Sequence, residues 1–198
     1  MERFDERALS TSLRGLTAWR QIVFMAMCCE RMLPHYRLFS EEAQFGDVLI
    51  LQNGIDEVWR WVLTGDTDKA ASMVEACERQ APNTEEHKSK YTSAALDCAS
   101  AVATTLEAIA GSTEPRAMDT AELARDTVDL YVQQETNVEP NALGFEEAIR
   151  CHPLMQRELR RQREDLRLAR DLSEQRSIAV REAQRVARDP SRAGGILG

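Results

Sequence analysis

Apolar side chains fill nearly every position from Ile22 to Leu33, where Glu30 and Arg31 are the only polar residues. At about 100° per residue such a run is apolar on every side, the pattern of a helix enclosed by others. The spacing predicts a central helix over residues 16–33, ended by Pro34, and a short helix over 35–44. On the helical projection Glu30 falls among Leu16, Trp19, Val23 and Met27. An unpaired carboxylate there would be strongly unfavourable, so Glu30 requires a partner such as an arginine or a tyrosine.

Beyond this helix, Asp47 reads as an N-cap, and Val48, Leu51, Ile55, Val58, Trp59 and Val62 follow helical spacing up to a stop at Gly65. Gly54, inside that helix, predicts a close helix crossing. Further helices are expected from Thr67 through Cys77, from about Glu86 to Ala110, and over residues 116–136. The second of these presents Ala94, Ala95, Cys98 and Ala101, small enough to let another helix approach closely. Asn137 to Gly144 reads as a loop, and Phe145 to Cys151 as a short helix.

Pro153 then opens a last segment in which two sevenfold series run from Met155 to Ala187, with seven of ten positions apolar. They predict one long helix with a weak coiled-coil-like seam, able to serve its own bundle or a second copy. No alternating strand pattern occurs. The expected fold is all-α: a single bundle of about seven helices around a buried N-terminal central helix, one domain over residues 1–190 and a flexible tail over 191–198.

Composition agrees with one domain, since 198 residues suffice for a sizeable core. The five cysteines show no Cys-x-x-Cys spacing, which points to reduced thiols in a cytoplasmic protein. The charged start lacks a signal-peptide pattern, and the longest apolar run falls short of the ~20 residues that span a bilayer. Residues 145–198 carry 12 basic and 9 acidic side chains, whereas the first 144 carry 13 and 24. The acidic body would repel nucleic acid and anionic lipid, so neither a nucleic acid nor a membrane is expected as partner.

Candidate chemistry is sparse. Neither Gly-x-Gly-x-x-Gly nor the P-loop pattern is present, and His35, His87 and His152 lack zinc-site spacing, so no cofactor and no metal ligand are expected. Glu30, Asp47 and Asp97 lie beside strongly apolar patterns and could perform acid and base work. Helix capping by Asp47 and structural pairing of Glu30 explain two of them without a substrate, and no catalytic residue is assigned. Cys28, Cys29 and Cys98 would need a neighbouring base to become nucleophiles, and none stands nearby in sequence. Arg160, Arg161, Arg167 and Arg170 each precede an acid by four residues, which predicts a self-neutralised, solvated face rather than a phosphate-binding stripe.

Phe24-Met25-Ala26, Cys29-Glu30-Arg31-Met32, Pro34, Tyr36, Phe39 and Phe45-Gly46-Asp47, with Trp59, Tyr91, Ala95 and Asp97-Cys98-Ala99 following in order, resemble the signature of the YjaG-like family. These are uncharacterised bacterial proteins sharing domain of unknown function 416. The resemblance implies an all-helical fold and an association with histidine kinases, hence signalling; it brings no activity or cofactor. The expected function is that of a non-enzymatic cytoplasmic protein acting through protein contacts, including self-association through the C-terminal long helix. The alternative is a small-molecule binding protein or enzyme with a pocket around Glu30, Arg31, Tyr36, Asp47 and Asp97.

Overall fold

The computed structural model describes residues 6–111, 114–136 and 144–192, and among these it contains nine α-helices and no strand. They are α1 (Glu6–Arg14), α2 (Ala18–Ala43), α3 (Val48–Thr64), α4 (Ala70–Glu78), α5 (Thr92–Ile109), α6 (Ala117–Thr136), α7 (Phe145–Cys151), α8 (Pro153–Asp171) and α9 (Arg176–Ala187). Of the expected loop from Asn137 to Gly144, residues 137–143 lie outside the described residues, as do residues 193–198 of the tail expected over 191–198, whose first two residues close a short 3-10 helix, Pro190–Arg192. No helix among the described residues is long and apolar enough to cross a membrane.

Helix α2 is the enclosed rod that its composition predicts: every side chain from Ile22 to Leu33 is buried. Helices α3, α5, α6, α8 and α9 pack against it. Pro34 does not end it, and the two helices expected on either side of that residue are one. Proline removes one ladder hydrogen bond and crowds the preceding turn, at roughly 3 kcal/mol. Continuing the helix buries Tyr36 and Phe39 completely, at about 1.5–3 kcal/mol each. The burial outweighs the break.

The turn after α2 depends on one glycine. Gly46 adopts φ +73°, and a Cβ there would collide with the Tyr36 hydroxyl, so the Phe45-Gly46-Asp47 turn lets the tyrosine reach the backbone beyond it. Asp47 then caps α3, its carboxylate accepting from the Leu49 N–H at 2.8 Å. Gly54 lies where α3 crosses its neighbours: an added Cβ would meet Val102 at 2.9 Å and Cys77 at 3.0 Å. Gly65 closes α3 in the left-handed region, its N–H bonded to the Trp61 carbonyl.

Two further differences from the sequence pattern have physical causes. Helix α1, which buries Leu9 and Leu13, continues the spacing of Leu16 toward the N-terminus. The expected long C-terminal helix is broken into α8 and α9 between Leu172 and Gln175. Arg20, at the start of α2, donates to the carbonyls of Ala169 (2.8 Å), Arg170 and Leu172 (2.9 Å) and to the Glu174 carboxylate (2.6 Å). Those carbonyls are the acceptors a continuing helix would use, and a guanidinium is favoured at a helix C-terminus. Arg176, an interruption in the sevenfold series, donates to the Val62 carbonyl at 2.9 Å and stacks over Trp19 at 4.4 Å.

Candidate functional site

Neighbouring residues on α2 begin two separate polar clusters. Arg31 projects toward α8, where its guanidinium bonds Glu158 at 3.0 and 3.3 Å and also pairs with Asp165. All three side chains are buried, Asp165 completely. Although burial works against its charge, Glu158 and Asp165 hold Arg31 well above the ordinary guanidinium range. Gln162 completes the junction by donating to Glu158 at 3.0 Å and to the Ala121 carbonyl at 2.9 Å, which ties α8 to α6. His35 lies within the field of Glu158, Arg157 and Arg161, and burial lowers its pKa from 6.5 to about 4, so it is neutral at pH 7.

Glu30 turns the other way, toward α3 and α9. Its Oε1 accepts from Trp59 Nε1 at 2.9 Å and from Arg188 Nε at 2.7 Å, while Arg188 also pairs with Asp56. Those two carboxylates raise the Arg188 pKa against the opposing effect of its partial burial. Glu30 is 9% exposed, and it borders an open cleft of about 430 Å³ with Pro34, Arg37, Gln52, Asp56 and Arg188. Its partners thus include the expected arginine, joined by an indole that the sequence pattern did not nominate.

Tyr36 and Asp47 meet through Gln80. The tyrosine hydroxyl donates to the Gln80 carbonyl at 2.9 Å, and the Asp47 N–H donates to the Gln80 side chain at 2.9 Å. Burial pushes the Tyr36 pKa up, so the phenol stays protonated. Asp97 stands apart on α5, accepting from the Thr127 hydroxyl of α6 at 2.9 Å. Burial raises its carboxyl to about 6 against that hydrogen bond. The five nominated residues therefore occupy four places: Glu30 by the cleft, Arg31 in the α2–α8 junction, Tyr36 with Asp47 at the α2–α3 turn, and Asp97 between α5 and α6.

The thiols are held as neutral groups. Burial raises Cys28 and Cys98, and pushes Cys29 up to about 12, even though Arg31 contacts Cys28 at 3.4 Å and Thr105 contacts Cys29 at 3.6 Å. A thiolate nucleophile requires the opposite environment. Among the described residues no three His, Cys, Asp or Glu side chains gather as metal ligands.

Sequence reasoning missed Arg20, Gln80, Glu158, Asp165 and Arg188 as structural partners. Arg20 carried one signal, a cation amid apolar neighbours at the start of the central helix. Glu158 and Asp165 sit at the helical positions that flank Leu159, Gln162 and Leu166, and so could have been assigned to the buried face. Arg188 lies 158 residues from Glu30 and had no local signal.

An all-helical chain organised around an enclosed helix, with its polar side chains tying neighbouring helices together, is the class of protein that this arrangement defines. The family described as "Protein of unknown function (DUF416)" matches residues 8–192, and the chain belongs to it. It is 26% identical over 164 residues to the uncharacterized protein YjaG of Salmonella typhimurium, covering 82% of each chain. An uncharacterized protein of Haemophilus influenzae is 29% identical over 127 residues, 63% of this chain and 65% of that one. The crystal structure of a DUF416 family protein from Shewanella baltica superposes with a TM-score of 0.80 at 23% identity, covering 89% of this chain and 91% of that one. That likeness establishes the fold.

Proposed function

We propose that this chain is a non-enzymatic cytoplasmic protein that works through contacts with other proteins. The observation that supports this function is that the groups best suited to chemistry are engaged with one another. Arg31 is bonded to two buried carboxylates, Glu30 to Trp59 and Arg188, and Tyr36 to the Gln80 backbone. The thiols of Cys28, Cys29 and Cys98 are kept protonated by burial. Groups used in this way join helices and leave recognition to the outer faces. The family resemblance implies a signalling protein, a histidine kinase in particular, as the partner class.

The test places a photoreactive amino acid at exposed positions of α6 and α8 in living cells. A discrete covalent adduct with an identified protein is the expected outcome, and the absence of any protein adduct overturns the proposal.

One observation favours a second function, the binding of a small molecule. Glu30, Arg37, Gln52, Asp56 and Arg188 bring charges of both signs to the open cleft. A screen of metabolites by thermal shift separates the two. If Glu30 is structural, Glu30→Ala lowers the melting temperature and no compound raises that of the wild type. If Glu30 binds a ligand, a compound stabilises the wild type, and Glu30→Gln folds normally and loses that stabilisation.

A further inference from the structure

The outer face of α8 is more basic than its sequence suggests. Of the four acids spaced to neutralise its arginines, Asp165 turns into the core onto Arg31, where Arg161 is also buried, and Glu174 bonds Arg20. Arg160, Arg163, Arg167 and Arg170 remain along one side, with Arg160, Arg167 and Arg170 exposed. Those three have no ion-pair partner among the described residues. Glu164 and Asp171 are the acids left on that side of the helix. Steps of three, four and three residues keep the arginines on one stripe about 15 Å long.

Helix α6 carries the opposite charge at the same spacing. Asp119, Glu122, Asp126 and Asp129 are also separated by three, four and three residues, on the side of α6 away from its buried Ala121, Ala124 and Val128. Asp119 and Asp126 are exposed, and Glu122 and Asp129 are half-buried; Asp119 lies 3.9 Å from the exposed Arg116 guanidinium, and Asp129 accepts from the Gln133 side chain at 2.6 Å. Partial burial, followed by mutual repulsion, raises the carboxyl pKa values of Glu122 and Asp126; Glu6, Asp119 and Asp126 act on Glu122, and Asp129 acts on Asp126, while Arg125 opposes both. Beside this stripe Leu130 is 38% exposed, which adds an apolar contact.

We infer that two copies of this chain associate by laying the arginine stripe of α8 on one copy against the acidic stripe of α6 on the other. The inference rests on the protein-contact function proposed above and names a second copy as one partner. The 3-4-3 spacing reads the same in both directions, so the stripes match whether the helices meet parallel or antiparallel. A nucleic acid would meet the same arginines but also the field of a chain with net charge −8, which opposes its approach. Exposed ion pairs are individually weak and screened by salt, so the association is concentration-dependent and salt-sensitive.

Sedimentation of the full chain tests this, with two charge-reversed variants at exposed positions: Arg160→Glu with Arg167→Glu, and Asp119→Arg with Asp126→Arg. The wild type is expected to self-associate at about 0.05 M salt and to dissociate at about 0.5 M, where the Debye length has shrunk about threefold. Each variant alone is expected to be monomeric with an unchanged melting temperature, whereas an equimolar mixture of the two re-forms the dimer, because both contacts are again between opposite charges. A wild type that stays monomeric at low salt, a variant that associates as before, or a mixture that stays monomeric overturns the inference. None of these results touches the protein-contact proposal, which falls only on the crosslinking outcome; binding of an oligonucleotide by the monomeric wild type would assign the arginines to nucleic acid instead.

Discussion

Glu30 and Arg31 are consecutive in the chain and opposite in situation. Arg31 is sealed between α2 and α8 with two carboxylates, whereas Glu30 stands at the rim of a cleft with an indole and a half-exposed arginine. A charge enclosed by its partners has no water to turn to when one partner is removed. A charge at a rim does. The same residue class at neighbouring positions therefore carries very different energetic weight, and the difference comes from solvent access rather than from the number of bonds.

Removing Arg31 should have the largest effect. Arg31→Met leaves Glu158 and Asp165 buried without their cation and is expected to destabilise by about 3–5 kcal/mol, read from urea unfolding. Adding Glu158→Gln and Asp165→Asn should recover much of that loss, since the uncompensated charges are then gone. Failure to recover would mean that Arg31 acts mainly through packing.

Acid should strike the same junction next. The pKa of His35 is about 4 when folded against 6.5 as its ordinary value, so the unfolded chain binds the proton more readily between these values. Its contribution to stability is present above about pH 6.5 and is lost as the pH falls toward 4, by up to about 3 kcal/mol. His35→Leu should flatten that slope. Asp97 has the reverse sign: with its pKa raised from 3.8 to about 6, its ionisation weakens the fold as pH rises through 6. Asp97→Asn should therefore stabilise the protein at pH 8 and leave it little changed at pH 4.

On the cleft side the effects are smaller. Glu30→Ala leaves the Trp59 N–H and Arg188 without their acceptor and should lower stability by about 2 kcal/mol, while Glu30→Gln retains an acceptor and should lose less. Arg188→Ala removes only the rim partner, and a change below about 1 kcal/mol is expected, decreasing as salt is raised. An effect of Arg188→Ala as large as that of Arg31→Met would erase the distinction between the two clusters.

Much of the helical layout was legible because its causes are local. The all-round apolar run of α2, the Asp47 cap, the Gly65 stop and the small residue at Gly54 each state their conformation within a few positions. The break between α8 and α9 was not legible, because Arg20 causes it from 149 residues or more away. Pro34 misled for a related reason: its local preference ends a helix, and the burial of Tyr36 and Phe39 by other elements overrides it.

The candidate residues divide along the same line. By itself the sequence determined that Glu30 and Arg31 would be drawn into an apolar interior and would need partners, since the energy of a buried charge depends on residue type and helical phase alone. Only the tertiary structure decided which partners they took, Glu158 and Asp165 for one and Trp59 and Arg188 for the other. Those groups lie 29 to 158 positions along the chain, and packing, rather than any local spacing, sets which of them arrive within hydrogen-bonding distance.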